Sequence, residues 1–231
     1  MMSMYSRFLS LALSTIILGA ALFTTGCGDD HRSRLRVVHA SPDAPNVDVL
    51  VDGKAVVTNA AYETASAYLT VGSGTRHVEV RATGGTTDVI DAKPVFSANG
   101  DYTLLAVNTL ANIEPLLLTD NNTAPAAGQV KLRLVHAAPS AGPVDIYVEA
   151  PGTDITTVTP TLTNVPFKGV SDYLSVAAGS YEVFITPTGS KTIAIDSGAL
   201  TLTAGQIRTA VALDKQNGGT PLTAIVLSDL N

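Results

Sequence analysis

Two stretches of this chain are nearly the same: LRVVHASPDAPNVDVLV at Leu35–Val51 and LRLVHAAPSAGPVDIYV at Leu132–Val148. They align without a gap and agree at 10 of 17 positions, where unrelated segments agree at about one. Later in each copy, Tyr68-Leu69 matches Tyr173-Leu174, and Leu118-Thr119-Asp120 matches Leu227-Ser228-Asp229. The sequence therefore predicts one structural unit that occurs twice.

The local pattern within each copy is that of β-strands. In the first copy Val47, Val49 and Val51 alternate with other residues, and the second copy repeats this alternation. Because strand residues point alternately to opposite faces, a period of two predicts strands with one buried face. These segments are short and are separated by Gly, Pro, Asn and Asp turns. We predict an all-β chain with two tandem immunoglobulin-like β-sandwich domains after an N-terminal signal peptide.

The matches also indicate where the units begin and end. We expect a signal peptide at 1–26, a tether at 27–33, the first repeat at 34–122, a linker at 123–129 and the second repeat at 130–231. The linker reads TAPAAGQ, a composition typical of a connection. Each copy is long enough to bury a core of its own.

Composition narrows the classes of function. The 231 residues include 14 Lys and Arg against 20 Asp and Glu, which gives a net charge of −6. This acidic balance argues against a nucleic-acid partner, which requires a basic surface. A single cysteine excludes a disulfide framework and any cysteine-based metal site. Neither Gly-x-Ser-x-Gly nor His-Glu-x-x-His occurs, so we expect no enzyme activity and no cofactor.

The N-terminus has the features of an export signal. Arg7 precedes an almost wholly apolar run, Phe8–Phe23, which is short for a membrane span. The next residues, Thr24–Cys27 (TTGC), resemble a bacterial lipobox, with Thr24 where Leu is usual. The resemblance implies cleavage before Cys27 and attachment of diacylglycerol, with fatty acids such as palmitate, to its thiol. We expect an exported lipoprotein anchored in the bacterial cell envelope, in the outer membrane if two are present.

The repeated motif resembles a known family. In the first copy it is RVVHASPDAP at Arg36–Pro45, and in the second it is RLVHAAP at Arg133–Pro139, followed by VPFKGVSDYL at Val165–Leu174. Both runs resemble the bacterial family called domain of unknown function 4397, over nearly all of residues 34–231. The resemblance implies tandem copies on an exported protein and carries no established activity. The second copy departs from the family's usual Asp-x-Pro loop at residues 140–143.

His39 and His136 are the first candidates for a functional site. Each lies at the end of a predicted strand, and Asp48 or Asp145 follows nine residues later. One interpretation is a metal or glycan site built from His39, Asp43 and Asp48. The other is structural, because a neutral imidazole can donate from one nitrogen and accept at the other, which ties loop to strand. The second copy has serine in place of Asp43, which favours the structural interpretation, since a repeated ligand set should keep its ligands.

Tyr68 and Tyr173 are the second repeated candidates. A tyrosine ring that packs inward, with its hydroxyl bound to the backbone, is common in β-sandwiches. Stacking on a glycan is the functional alternative. The segment Asp120-Asn121-Asn122 lacks the 1, 3, 5 spacing of a calcium loop, so we expect an exposed turn there.

These patterns leave three functions open. The first is a non-catalytic structural or binding module of the cell envelope, joined to a membrane at Cys27. The second is a glycan- or protein-binding module of the adhesion type, with the loops 41–46 and 138–143 as contact surfaces. The third is a divalent-metal-binding envelope protein that uses the repeated His/Asp pairs.

Overall fold

The computed structural model describes residues 31–230, so the predicted signal peptide, Cys27 and most of the tether lie outside the described residues. We call the strands before residue 121 repeat one. In chain order they are β1 Arg32–His39, β2 Val47–Val51, β3 Lys54–Ala60, β4 Leu69–Gly72, β5 Gly74–Thr75, β6 Val78–Ala82, β7 Asp88–Ala92, β8 Val95–Phe96, β9 Asp101–Val107 and β10 Glu114–Asp120. A short 3₁₀ turn, Leu110–Asn112, precedes β10.

Repeat two follows after residue 128. Its strands are β11 Gln129–His136, β12 Val144–Glu149, β13 Leu162–Val165, β14 Leu174–Ala177, β15 Gly179–Pro187, β16 Ile195–Leu202, β17 Ile207–Leu213 and β18 Thr223–Ser228. A second 3₁₀ turn, Ile155–Thr157, lies between β12 and β13. No helix in residues 31–230 has the length and apolar character needed to cross a membrane. The all-β prediction is confirmed.

Each repeat is a sandwich of two four-stranded sheets. In repeat one, sheet β10-β9-β1-β4 packs over sheet β3-β2-β6-β7, and β5 and β8 form a small additional pair. Repeat two has the corresponding sheets β14-β11-β17-β18 and β13-β12-β15-β16. We call the first sheet of each repeat its inner sheet, because the two inner sheets face each other. The molecule is therefore a stack of four sheets.

β1 shows how one strand serves two cores. Leu35 and Val37 point into the sandwich of repeat one, whereas Val38 and Ala40 point toward repeat two. All four are buried. Since side chains alternate along a strand, the buried apolar residues of this segment divide between the two cores. β11 divides its residues in the same way.

The inner sheets meet in a core to which both repeats contribute equally. We call it the shared core; its buried members are Val38, Ala40, Leu105, Val107 and Leu118 of repeat one, and Val135, Ala137, Val211, Leu213 and Leu227 of repeat two. Within each inner sheet the strand registers pair equivalent members with each other, Val38 with Leu105 in repeat one and Val135 with Val211 in repeat two. The repeats are thus related by an approximate two-fold axis. Burial of each large apolar side chain contributes about 1.5–3 kcal/mol, which joins the repeats into one block.

Candidate functional site

His39 lies at the end of β1 and is fully buried. Its Nδ1 accepts the backbone N–H of Ser41 at 3.4 Å, and its Nε2 lies 3.0 Å from the carbonyl oxygen of Pro45. Because Nδ1 accepts, the ring proton is on Nε2, which donates to Pro45. Burial lowers the pKa of His39 by more than the Pro45 carbonyl raises it. The neutral ring therefore joins the two ends of the loop 41–46.

His136 occupies the equivalent place in repeat two and is also fully buried. Its Nδ1 accepts the backbone N–H of Ala138 at 3.4 Å, and its Nε2 lies 2.7 Å from the carbonyl oxygen of Gly142. Burial again lowers the pKa of the imidazole. The loop sequences differ at most positions, yet the ring closes both loops in the same way, because its partners are backbone groups that any sequence supplies.

The aspartates that accompany these histidines in the sequence bind elsewhere. Asp43 accepts the first N–H of the 3₁₀ turn at 2.7 Å. Asp48 accepts the backbone N–H of Asn59 at 2.8 Å, and this bond holds the pKa of Asp48 below its ordinary value. Asp145 accepts the N–H groups of residues 164 and 189 at 2.8 and 2.9 Å. Within residues 31–230, no group of three His, Cys, Asp or Glu side chains is arranged to hold a metal ion. The structure does not bring the His–Asp–Asp set together.

The arginine of the first repeated motif lies between the inner sheets. Arg36 extends from β1 toward repeat two, and its side chain is only 3% exposed. It donates to Asp229 Oδ1 at 2.7 Å and to the carbonyl oxygen of Ser228 at 3.0 Å. Its Nε and Nη2 also donate to Thr103 Oγ1 on the neighbouring strand β9, at 3.0 and 2.9 Å. Arg36 and Asp229 therefore form a buried ion pair between the repeats.

The second motif forms the same contact in the opposite direction. Arg133 extends from β11 toward repeat one and donates to Asp120 Oδ1 at 2.5 Å. It also donates to the carbonyl oxygen of Thr119 at 3.2 Å, and to Thr209 Oγ1 at 3.0 and 3.1 Å. Both acceptor carbonyls, on residues 119 and 228, belong to edge strands of the inner sheets. Each arginine thus also caps an edge that is otherwise open to pairing with another strand.

We call these residues the ion-pair cluster: Arg36, Thr103 and Asp120 of repeat one with Arg133, Thr209 and Asp229 of repeat two. The remaining carboxylate oxygens are also bonded. Thr103 donates to Asp120 Oδ2 at 2.6 Å, and Thr209 donates to Asp229 Oδ2 at 2.8 Å. A buried ion pair is tolerated only when such additional hydrogen bonds satisfy its other polar atoms. The ion-pair cluster meets that condition on both sides of the two-fold axis.

Tyr68 and Tyr173 complete the ion-pair cluster. Their hydroxyls donate to Asp120 Oδ2 at 2.7 Å and to Asp229 Oδ2 at 2.8 Å. The guanidinium of the same repeat's arginine lies over each ring, 4.8 and 4.7 Å from its centre. Burial raises the pKa of both hydroxyls, and the neighbouring carboxylates raise it further. The expectation that these hydroxyls bind backbone is wrong: they bind carboxylates, and one face of each ring is covered by a cation.

Asp120 is the residue that sequence reasoning misplaced. The turn-like run of asparagines after it predicts an exposed turn, but Asp120 is the last residue of β10 and is 7% exposed. Its carboxylate is needed between the sheets because Arg133 is buried there. The sequence did contain an indication of the role of Asp120. Leu118-Thr119-Asp120 matches Leu227-Ser228-Asp229, which places an aspartate at the same strand end in both copies.

Both repeated loops lie at the same end of the block. β1 and β11 each begin beside the ion-pair cluster and run toward the shared core. The loops 41–46 and 138–143 therefore emerge side by side beyond the shared core. The segment after β17 bonds to both loops. The N–H of Asn217 donates to the carbonyl oxygen of Pro42 at 2.7 Å, and Ser140 Oγ donates to Asp214 at 2.8 Å. We call this end of the molecule the loop end.

One family model matches the chain. The model described as Domain of unknown function (DUF4397) matches twice in succession, at residues 33–147 and 148–231. The division between the two matches falls within β12, whereas the strand pairings of the described residues divide between 120 and 129. No curated protein matches the chain in sequence.

Two solved structures represent its distant structural matches. The first contains family 41 carbohydrate-binding modules from streptococcal virulence factors, described for alpha-glucan recognition. Its sequence identity to this chain is 12% and its TM-score is 0.27, and the match covers 82% of this chain and 98% of that one. The second is a family 26 carbohydrate-binding module from Eubacterium rectale in complex with maltoheptaose, also with 12% identity and a TM-score of 0.27, covering 86% and 98%. Likeness at this level supports no conclusion about a ligand of this chain.

Proposed function

The chain belongs to the family described as Domain of unknown function (DUF4397), and from this premise we propose that it is a non-catalytic structural or binding module of the bacterial cell envelope. In this proposal the chain is exported and is held to a membrane by lipid on Cys27. Its two repeats act as one rigid block and not as two domains on a flexible linker.

The observation that supports this proposal is the role of the repeated polar side chains. The buried histidines bond to the backbone of their own loops, and the arginines, aspartates and tyrosines of both copies bond to one another between the sheets. A catalytic acid, base or nucleophile has to reach a substrate. The polar residues that the two copies have in common instead hold loops to strands and repeat to repeat.

The position of β1 gives the anchored block an orientation. β1 begins at Arg32, five residues after Cys27, and five residues span at most about 18 Å. The eight residues of β1 then extend about 26 Å further. A lipid on Cys27 thus places the start of β1 close to the membrane and the loop end far from it.

The composition of the loop end favours binding as the second candidate function. Besides the two repeated loops, this end has a groove of about 510 Å³ lined mainly by apolar side chains, among them Pro187, Pro221 and Leu222. Ile193 in its wall is 46% exposed. Exposed apolar surface beside polar loops is typical of interaction sites. A binding module of this design presents the loop end to a glycan or protein of the envelope.

Membrane anchoring is tested with the full chain in a bacterial host. We expect the chain to sediment with membranes and to incorporate labelled palmitate, and we expect Cys27→Ser to abolish both. Thr24→Leu is the matched control, because it restores the usual lipobox residue and should increase processing. Unlabelled chain in the soluble fraction, with no effect of Cys27→Ser, would contradict the anchored module.

Binding is tested by thermal unfolding of residues 28–231 against a panel of envelope glycans. Ligand at 100 times its Kd adds about 2.7 kcal/mol, and each kcal/mol raises Tm by about 2–4 °C at this size. A shift above about 5 °C that Ile193→Ser removes places binding at the loop end. Ser175→Ala, an exposed change outside the loop end, is the control and should leave the shift intact. No shift with any glycan leaves the structural role as the better account.

A further inference from the structure

The face by which the two repeats meet is self-complementary. Repeat one contributes Arg36 and Asp120, and repeat two contributes Arg133 and Asp229 at equivalent positions. The arginine of either repeat binds the aspartate of the other, so each repeat carries both halves of the contact. An isologous surface of this kind is the signature of association between two copies of one unit.

The shared core repeats this arrangement with apolar residues. Each of its buried side chains has its counterpart across the two-fold axis, as Val38 has Val135 and Leu118 has Leu227. Nothing in this face distinguishes the repeat two of the same chain from the repeat two of another copy. What keeps the partners within one chain is the connection between β10 and β11.

That connection is short, and hydrogen bonds join it to both repeats. It comprises residues 121–128, between β10 and β11, and an extended chain of this length spans about 30 Å. Lys131 Nζ donates to Asn121 Oδ1 at 3.0 Å, and Asn122 Nδ2 donates to Asp101 Oδ2 at 2.8 Å. The contact with Lys131 is exposed to solvent. Lys131 Nζ also donates to the carbonyl oxygen and the Oγ1 of Thr123, both at 2.7 Å. Opening the connection requires that its bonds to one of the two repeats break.

We propose that the inter-repeat face is a homotypic docking surface whose partner is a second copy of this chain. The two copies exchange repeats, so that repeat one of each chain binds repeat two of the other. Both ion pairs and both halves of the shared core form again in this dimer, and only the contacts of the connection are lost. A short linker gives its own repeats an effective concentration of the order of mM. The chain is therefore closed when dilute, and it exchanges where copies are crowded or where a second copy offers a better-matched ion pair than its own repeats form.

Two charge-reversed variants of residues 28–231 test the exchange. Arg36→Asp places two carboxylates in contact when the chain is closed, and Asp229→Arg places two guanidinium groups in contact. In an exchanged dimer of one variant with the other, the new carboxylate meets the new guanidinium, and the unchanged Arg36 meets the unchanged Asp229. We expect the equimolar mixture, but neither variant alone, to contain a dimer of twice the mass by light scattering and native mass spectrometry.

The control is the double variant Arg36→Asp with Asp229→Arg in one chain, which should be monomeric because its own repeats are again complementary. A mixture that stays monomeric while both variants are folded overturns the proposal, as does a dimer formed equally by each variant alone. If the single variants fold only after mixing, that rescue supports exchange. If they fold under neither condition, the unsubstituted chain is refolded from urea at high concentration with two isotope labels: mixed-label dimers support the proposal, and monomers alone overturn it.

Discussion

Loss of one carboxylate from the ion-pair cluster should remove a large share of the stability of the block. Asp229 accepts from Arg36 at 2.7 Å and from Tyr173 and Thr209 at 2.8 Å. Asp229→Asn removes the charge with little change in shape. A buried charge left without its partner costs about 3–5 kcal/mol, out of a total that is typically about 5–15 kcal/mol.

The geometry also predicts which carboxylate matters more. Arg133 binds the carboxylate of Asp120 and lies 4.0 Å from that of Asp229 as well. Among residues 31–230, the only carboxylate within 4.0 Å of Arg36 is that of Asp229. Asp120→Asn therefore leaves Arg133 with a second carboxylate nearby, but Asp229→Asn leaves Arg36 with none. We expect both changes to lower the free energy of unfolding strongly, and we expect Asp229→Asn to lower it more than Asp120→Asn does.

Thermal unfolding of residues 28–231, followed by circular dichroism and calorimetry, measures these effects. At about 2–4 °C per kcal/mol, the expected decrease in Tm is about 6–20 °C. Lys168→Gln is the matched control, because Lys168 and Glu114 also form an ion pair between the repeats but are 39% and 37% exposed, and exposed pairs contribute about 0–1 kcal/mol. If Asp229→Asn changed Tm no more than Lys168→Gln does, the ion-pair cluster would not hold the repeats together.

Stability should fall as the pH drops below about 6.5, because the pKa values of His39 and His136 are lowered in the folded chain, so the unfolded chain binds more protons there. Unfolding midpoints at a series of pH values check this, and the slope should flatten when both histidines are changed to glutamine; an unchanged slope would refute it. Tyr68→Phe should cost about 1.5–3 kcal/mol, since its hydroxyl bonds to a charged group, and Tyr173→Phe should cost a similar amount; unequal losses in urea unfolding would argue against the two-fold symmetry. A Cβ at Gly169 would lie 2.5 Å from the side chain of residue 165 and 2.8 Å from the carbonyl of residue 166. Gly169→Ala should therefore lower the urea midpoint through a loss of about 1–3 kcal/mol, and a midpoint equal to that of the unsubstituted chain would contradict this close packing.

The strands and the bonds of the histidines could be inferred from the sequence because they are local. Alternation of apolar residues is visible within five positions, and the internal repeat shows that the pattern recurs. His39 bonds to groups two and six residues away. Such partners can be proposed from the donors and acceptors that a short loop supplies.

The ion-pair cluster could not be derived in this way. Arg36 and Asp229 are 193 positions apart, and their contact depends on which faces of two separate sheets meet. Alternation shows that Arg36 is on the face of β1 that points away from the sandwich core. In an antiparallel sandwich, that outer face normally points to solvent. An arginine with an apolar residue on either side, repeated in both copies, was the available hint of a second buried face. It did not identify the partner, and the asparagines after Asp120 favoured a turn.

The central position of β1 also matters for mechanical load. In the proposed anchored state, a pull on the membrane enters the block at Arg32 and runs along the axis of this strand. β1 is paired with β9 at six positions and with β4 at four. Force along the strand loads these pairings together in shear instead of opening them one after another. The strand nearest the anchor is therefore the one that must slide past both neighbours before the block can extend.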